Sequence, residues 1–195
     1  GPSPLFTPEI EERVVREIVT PTIEGMRAEG HEYRGVLYVG LMLTEDGPKV
    51  IEFNVRFGDP EAQIVLPMVE SDLAPVLLAA VKGDISDADW RISSDSHVGV
   101  VMASGGYPGK YETGLPITGL DAAANVPGVR IIHAGTALKG DAIVTNGGRV
   151  LTVVASGAGF EEAISRAYQG VERIAFEGSH VRRDIGQKAI VAGAV

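Results

Sequence analysis

Glu52, Asn54 and Arg56 occupy alternate positions in the run Val50-Ile51-Glu52-Phe53-Asn54-Val55-Arg56-Phe57. Side chains alternate faces along an extended strand, so these three polar groups share one face while Ile51, Phe53, Val55 and Phe57 share the other, which is expected to be a core face. Glu52 and Asn54 then stand roughly 6–7 Å apart along the strand. At that spacing a carboxylate and an amide oxygen can hold one or two hard divalent cations. Arg56, one step further, can meet an anion beside the metal; its plain alternative is a structural ion pair with Glu52 or Glu61. A solvated strand face is the competing reading of the whole pattern, since alternation alone is common. Gly58-Asp59-Pro60-Glu61 follows at once and reads as a turn into a helix, with Asp59 as N-cap and Pro60 at the first helical position. Such a helix start offers free N–H groups to an anion. Capping accounts for Asp59 by itself, and contact with substrate is its competing role.

These residues need a hairpin to hold them. Two apolar stretches, about Gly35 to Leu43 and Lys49 to Phe57, flank Thr44-Glu45-Asp46-Gly47, which reads as the connecting turn. Ahead of them, Thr7 can cap a helix whose first position is Pro8 and whose apolar stripe is Ile10, Val14, Val15, Ile18 and Val19; Pro21 kinks or ends it. Behind them, helices are expected over about Pro60 to Val69 and Asp72 to Val81, the latter capped by Ser71 and stopped by Gly83. Both are apolar enough to pack behind the hairpin.

The polar stretch Asp84-Ile85-Ser86-Asp87-Ala88-Asp89 is the best linker. Beyond it, Val98 to Ala103, Val129 to His133, Ala142 to Thr145 and Val150 to Ala155 read as strands, with Asn146-Gly147-Gly148 supplying left-handed turn positions. One amphipathic helix is expected from about Gly159 to Phe176. The fold class is α+β, in two parts, 1–90 and 91–195, without internal repeats.

Composition sets the outer bounds. The chain has 195 residues, 45% of them hydrophobic, enough for a core and one or two domains. No apolar run reaches the ~20 residues needed to span a membrane, and no signal-peptide pattern opens the chain. Cysteine is absent, which excludes disulfides and thiolate metal sites and fits a reducing cytoplasm. Net charge is −9, unevenly spread: residues 1–90 hold 7 Lys+Arg against 17 Asp+Glu, and residues 91–195 hold 10 against 9. So acidic a chain is a poor general partner for nucleic acid. Gly1-Pro2 can be a protease-cleavage scar.

In the second part, Gly105-Gly106-Tyr107-Pro108-Gly109-Lys110 could approach a phosphate through its glycine backbone, with Lys110 as a point charge; on sequence alone, a plain turn-rich connection is the leading reading. His133 ends an apolar run with no acid beside it, which suits a hydrogen-bonded edge residue better than a catalyst. Arg182 and Arg183 form a basic pair that is either a solvated patch or an anion contact.

Taken together, Glu52-Phe53-Asn54-Val55-Arg56-Phe57-Gly58-Asp59-Pro60-Glu61, the preceding Tyr33-Arg34-Gly35-Val36-Leu37-Tyr38-Val39-Gly40-Leu41-Met42, Ser104 to Tyr111, His133-Ala134-Gly135-Thr136, Thr145 to Leu151 and Arg182 to Gly186 resemble the phosphoribosylamine–glycine ligase (glycinamide ribonucleotide synthetase) family of the ATP-grasp superfamily. The resemblance runs from about Ser3 to Ile190 and covers only the C-terminal part of a family member. It implies that residues 1–90 are the C-terminal half of an ATP-grasp domain and 91–195 a C-terminal domain. It further implies ATP-dependent ligation of glycine to 5-phosphoribosylamine through glycyl phosphate, with Glu52 and Asn54 as ligands of Mg2+ or Mn2+. Arg56 is then catalytic, and Arg56, Asp59, Lys110 and Arg182 contact substrate. A phosphate-clamping N-terminal part of the same enzyme is an implied partner, without which the chain is expected to be inactive. ATP-grasp enzymes often add a ligand from the neighbouring strand, yet Tyr38-Val39-Gly40 offers no acid or amide. Another ATP-grasp ligase or carboxylase would share Glu52-Phe53-Asn54 but not the runs around Tyr107 and Asn146. A non-catalytic binding module is the remaining alternative.

Overall fold

The computed structural model describes residues 4–193, so Gly1, Pro2 and Ser3 lie outside the described residues. The chain forms two compact units, one of residues 4–62 with 69–93 and the other of residues 63–68 with 94–193.

The first unit opens with helix α1 (Pro8–Val14), capped by Thr7, whose hydroxyl accepts a hydrogen bond from the Ile10 N–H at 3.4 Å. Pro21 does not end the helical run. A π-helical turn (Val15–Val19) precedes helix α2 (Thr20–Ala28), and the Thr20 N–H reaches back to the Val15 carbonyl. That wider turn accommodates a residue without an N–H, and the Thr22 hydroxyl donates to the Ile18 carbonyl at 2.6 Å.

Strands β1 (Tyr38–Thr44) and β2 (Gly47–Asn54) pair antiparallel around Glu45-Asp46, shorter than the sequence suggested at their outer ends. Gly47 takes φ 108°, and an added Cβ there would strike the Arg13 guanidinium, which donates to the Asp46 carbonyl at 2.8 Å. Helix α1 is thereby tied to the hairpin turn. Pairing shifts between Gly40↔Glu52 and Leu41↔Val50, leaving Ile51 as an extra residue.

The expected core face of β2 is not buried: Ile51, Phe53 and Val55 are 62%, 43% and 71% exposed. β1 and β2 form a sheet of their own, and an apolar sheet face is buried only against a second layer. Helix expected from Pro60 begins instead at Ala62 (α3, Ala62–Val65) and passes into a 3-10 turn, Leu66–Met68. Helix α4 (Leu73–Lys82) is capped by Asp72, which accepts from the Ala74 N–H at 3.0 Å, rather than by Ser71. The buried Ser71 hydroxyl is occupied by the Arg91 N–H at 3.1 Å. Gly83, at φ 87°, ends α4 in the left-handed conformation that glycine tolerates. Leu77, Leu78 and Val81 of α4 are exposed instead of packed.

The second unit is built on a three-stranded antiparallel sheet in the order β3 (Ser96–Ala103), β7 (Arg149–Gly157), β4 (Val129–His133). Between them come α5 (Leu120–Ala124) and a small hairpin of β5 (Thr136–Lys139) and β6 (Ala142–Thr145). Helix α6 (Phe160–Val171) covers the sheet through Ala163, Ile164, Ala167 and Val171, against Val98, Val100, Leu151 and Val153. The approach is close, because a Cβ on Gly170 would lie 2.8 Å from Val153 Cγ1. Helix α6 stops five residues before Phe176. Ile174 and Phe176 stay buried on an extended segment that bridges Ala175 to Thr118. Helix α7 (Gln187–Gly193) closes the described chain. Gly147 and Gly148 do not adopt left-handed backbone. They are small because neighbours press on them: the Gly135 Cα lies 2.9 Å from a Cβ built on Gly147, and the Tyr107 ring would collide with one on Gly148.

Candidate active-site face of the hairpin

Pairing places Tyr38 opposite Asn54 and Gly40 opposite Glu52, so the polar face of β2 continues onto β1. Asn54 Nδ2 donates to Glu52 Oε1 at 2.9 Å. Because that bond uses the amide nitrogen, the Asn54 oxygen and the remaining Glu52 lone pairs are left as donors to a cation. Gly40 opens the space for Glu52, since a Cβ there would sit 3.1 Å from Glu52 Cγ and 3.6 Å from Tyr38 Cε1. Among the described residues no group of three or more His, Asp or Glu could hold a metal ion by itself. A two-oxygen protein edge suits Mg2+ or Mn2+ that shares its shell with phosphate oxygens and water, the usual arrangement for magnesium with nucleotides.

Arg56 lies two residues past the end of β2, in a bend rather than on the strand, and donates through Nη1 to the Phe57 carbonyl at 2.9 Å. No ion pair joins it to Glu52 or Glu61 among the described residues, so the structural-partner alternative finds no support. Its charge is nevertheless felt within the group: burial first, then the Glu61 carboxylate, push the Tyr38 phenol above its usual value, while Arg56 opposes them. Tyr38 Oη donates to Glu61 Oε1 at 3.3 Å.

Helix α3 begins at Ala62, so Asp59 does not stand next to its first residue as expected. The Asp59–Pro60 peptide bond is cis, the chain turns through Gly58–Glu61, and the Ala62 N–H bonds the Gly58 carbonyl at 3.0 Å. The four-residue helix α3 therefore offers no helix-start anion site of the kind expected at Asp59-Pro60. A Cβ on Gly58 would lie 2.3 Å from Glu61 Oε2, so glycine at 58 is what lets Glu61 fold back toward Tyr38 on β1.

Lys110 and Arg182 belong to the second unit. The glycines before Lys110 serve the chain's own backbone: Gly105 packs on Gly178, and Gly106, at φ 91°, faces the Lys110 carbonyl. Tyr107 and Tyr111 stand with ring centroids 6.3 Å apart beside Gly148. Arg182 forks onto Asp184, with Nε to Oδ1 at 3.0 Å and Nη2 to Oδ2 at 2.6 Å. That bond holds the Asp184 carboxyl below the usual carboxylate range. Arg183 lies over the Tyr168 ring, 6.0 Å from its centroid, and 3.8 Å from Glu172. His133 meets the Thr136 hydroxyl at 3.1 Å on the edge strand β4, as expected of a hydrogen-bonded edge residue.

Sequence reasoning missed Tyr38 and Gly40 as parts of this face and treated Glu61 only as a possible ion partner. The two-residue spacing of Tyr38 and Gly40 matches that of Glu52 and Asn54, and the hairpin register was the signal that would have joined them.

Two models of one family match the chain in sequence: the phosphoribosylglycinamide synthetase ATP-grasp (A) domain over residues 1–62, and the phosphoribosylglycinamide synthetase C domain over residues 97–188. The chain is similar to the phosphoribosylamine–glycine ligase of Chlorobaculum tepidum, 50% identical over 97% of this chain and 45% of that protein. It is likewise similar to the chloroplastic phosphoribosylamine–glycine ligase of Arabidopsis thaliana, 49% identical over 97% of this chain and 36% of that protein. It thus spans less than half the length of these curated relatives. Among solved structures, the phosphoribosylamine–glycine ligase of Thermotoga maritima superposes with a TM-score of 0.77 at 36% identity, covering 91% of this chain and 44% of that one. Two matched stretches of one family, in family order and joined by relatives at about half identity, leave one conclusion: the chain belongs to the phosphoribosylglycinamide synthetase, or phosphoribosylamine–glycine ligase, family of ATP-grasp proteins.

Proposed function

We propose that this chain is the C-terminal portion of a phosphoribosylamine–glycine ligase and supplies the metal-binding edge of its active site. Residues 1–90 would complete the ATP-grasp domain and 91–195 form the C-terminal domain. In the reaction, the glycine carboxylate oxygen attacks the γ-phosphorus of ATP, giving glycyl phosphate and ADP. The amine of 5-phosphoribosylamine then attacks the acyl carbon and displaces phosphate, leaving glycinamide ribonucleotide. The pairing of Glu52 and Asn54 by a 2.9 Å hydrogen bond, opposite a glycine, carries this reading.

Glu52 and Asn54 would hold Mg2+ or Mn2+, which when bound neutralises charge on the transferring phosphoryl group. Arg56 presents a planar fork to the carboxylate or phosphoryl oxygens beside them. We assign Asp59, Lys110 and Arg182 to contact with substrate, Arg182 having to exchange Asp184 for an anion. The upstream part of the same enzyme clamps the nucleotide, so this chain alone should release no ADP in response to glycine. The reading is tested in the full-length enzyme: Glu52→Gln and Asn54→Ala should each cut turnover by about two orders of magnitude or more with little change in melting temperature. Near-normal turnover of both variants at limiting Mg2+ would refute it.

A further inference from the structure

The hairpin face gathers more charge than a metal site needs. An amino acid enters such a site as a zwitterion, and phosphoryl transfer engages only its carboxylate. Its ammonium group needs an anion of its own, because an unmatched charge in a water-poor site is costly. Glu52 is committed with Asn54 to the cation. Glu61 is a second carboxylate that the fold brings to this face, and three features hold it there. The Tyr38 phenol donates to Glu61 Oε1 at 3.3 Å. Gly58 leaves room for Oε2, since a Cβ would come within 2.3 Å of it. Gly40 lets the Tyr38 ring lie beside Glu52, so one side chain reaches from the metal pair to Glu61. Neutral phenol satisfies one oxygen of Glu61 without cancelling its charge, and no ion pair joins Glu61 to Arg56 among the described residues.

We propose that Glu61 binds the α-ammonium of the amino-acid substrate, with Tyr38 as its positioning residue, while Arg56 takes the carboxylate. This assignment rests on the ligase reading above. It makes one carboxylate responsible for selecting an amino acid over a plain carboxylic acid.

The test uses the full-length enzyme, with glycine-dependent and acetate-dependent ADP release as readouts and hydroxylamine to trap acyl phosphate. Glu61→Gln should raise the KM for glycine about 100-fold and level the preference for glycine over acetate, because a site built around a polar group discriminates by leaving it unmatched. Tyr38→Phe should raise the glycine KM about 10-fold. In both, the KM for ATP and the Mg2+ half-saturation should stay within about twofold of wild type, which a merely structural role would not spare. An unchanged glycine KM in Glu61→Gln, or equal rises for ATP and glycine with lost thermal stability, would overturn the assignment. A wild-type enzyme that releases no ADP in response to glycine would instead overturn the ligase reading beneath it.

Discussion

Gly40 offers a way to disturb the metal pair without touching a ligand. A Cβ at this position would stand 3.1 Å from Glu52 Cγ, where ordinary contact begins at 3.4 Å. Gly40→Ala therefore asks the Glu52 side chain to move by a few tenths of an ångström. Backbone strain does not enter, since Gly40 is not among the glycines with positive φ. Alanine in a strand even recovers about 0.5–1 kcal/mol of chain entropy relative to glycine, which offsets the crowding. Stability should thus change by less than about 1 kcal/mol. Metal ligands displaced by their surroundings lose about 10- to 100-fold in affinity; the small displacement points to the lower end, about 10-fold or about 1.4 kcal/mol. In the full-length enzyme, Mg2+ titration of glycine-dependent ADP release should show half-saturation rising about 10-fold, with recovery of turnover at high Mg2+. Gly40→Val should exaggerate the effect. An unchanged Mg2+ requirement alongside a lowered melting temperature would refute the idea that Gly40 exists to seat Glu52.

Arg56→Lys keeps the charge and loses the fork, so turnover should fall far more than thermal stability; unchanged kinetics would leave Arg56 a surface residue. Leu151 is 0% exposed at the centre of the second unit's sheet, and Leu151→Ala should cost about 2–5 kcal/mol in urea unfolding, a loss below 1 kcal/mol contradicting the core assignment. Asp184 is held below its ordinary value of 3.8 by Arg182. A depressed carboxyl stabilises the folded state above its unfolded pKa and loses that contribution as pH falls through the lower folded value. An NMR titration should therefore place the Asp184 midpoint below 3.8, returning toward ordinary in Arg182→Ala; equal midpoints would show the fork to be absent in solution.

Where local chemistry and global packing agreed, the chain was readable in advance. The β1–β2 turn, the four strands of the second unit that carry continuous apolar runs, and helix α6 follow from alternation, turn glycines and helical spacing. Strand β5 escaped because Thr136-Ala137-Leu138-Lys139 is short and half polar, and its strand character comes from pairing with β6. Asp59-Pro60 carried a helix-start signal that a competing turn at Gly58 overrode. Ile51, Phe53 and Val55 look like a core in sequence, but burial depends on a second layer, which alternation cannot report. Within the candidate site, Glu52, Asn54 and Arg56 could be found from one strand alone. Tyr38, Gly40 and Glu61 required knowledge of which residue sits across from which, and only the register supplies that.

The π-turn before Pro21 sets the rotational phase of everything after it. Each residue of an α-helix advances about 100° around the axis, so one extra residue in Val15–Val19 turns α2 by about that much relative to α1. Val14, Ile18, Val19, Thr22 and Ile23 are among the less exposed positions of the run, and this offset is what gathers them on one side. Straightening the ladder over the same residues would turn Ile23 about 100° away from that side, whereas losing one residue together with the wide turn would keep it there. A single-residue deletion at this point thus preserves the face, and the wide turn is what absorbs the extra residue.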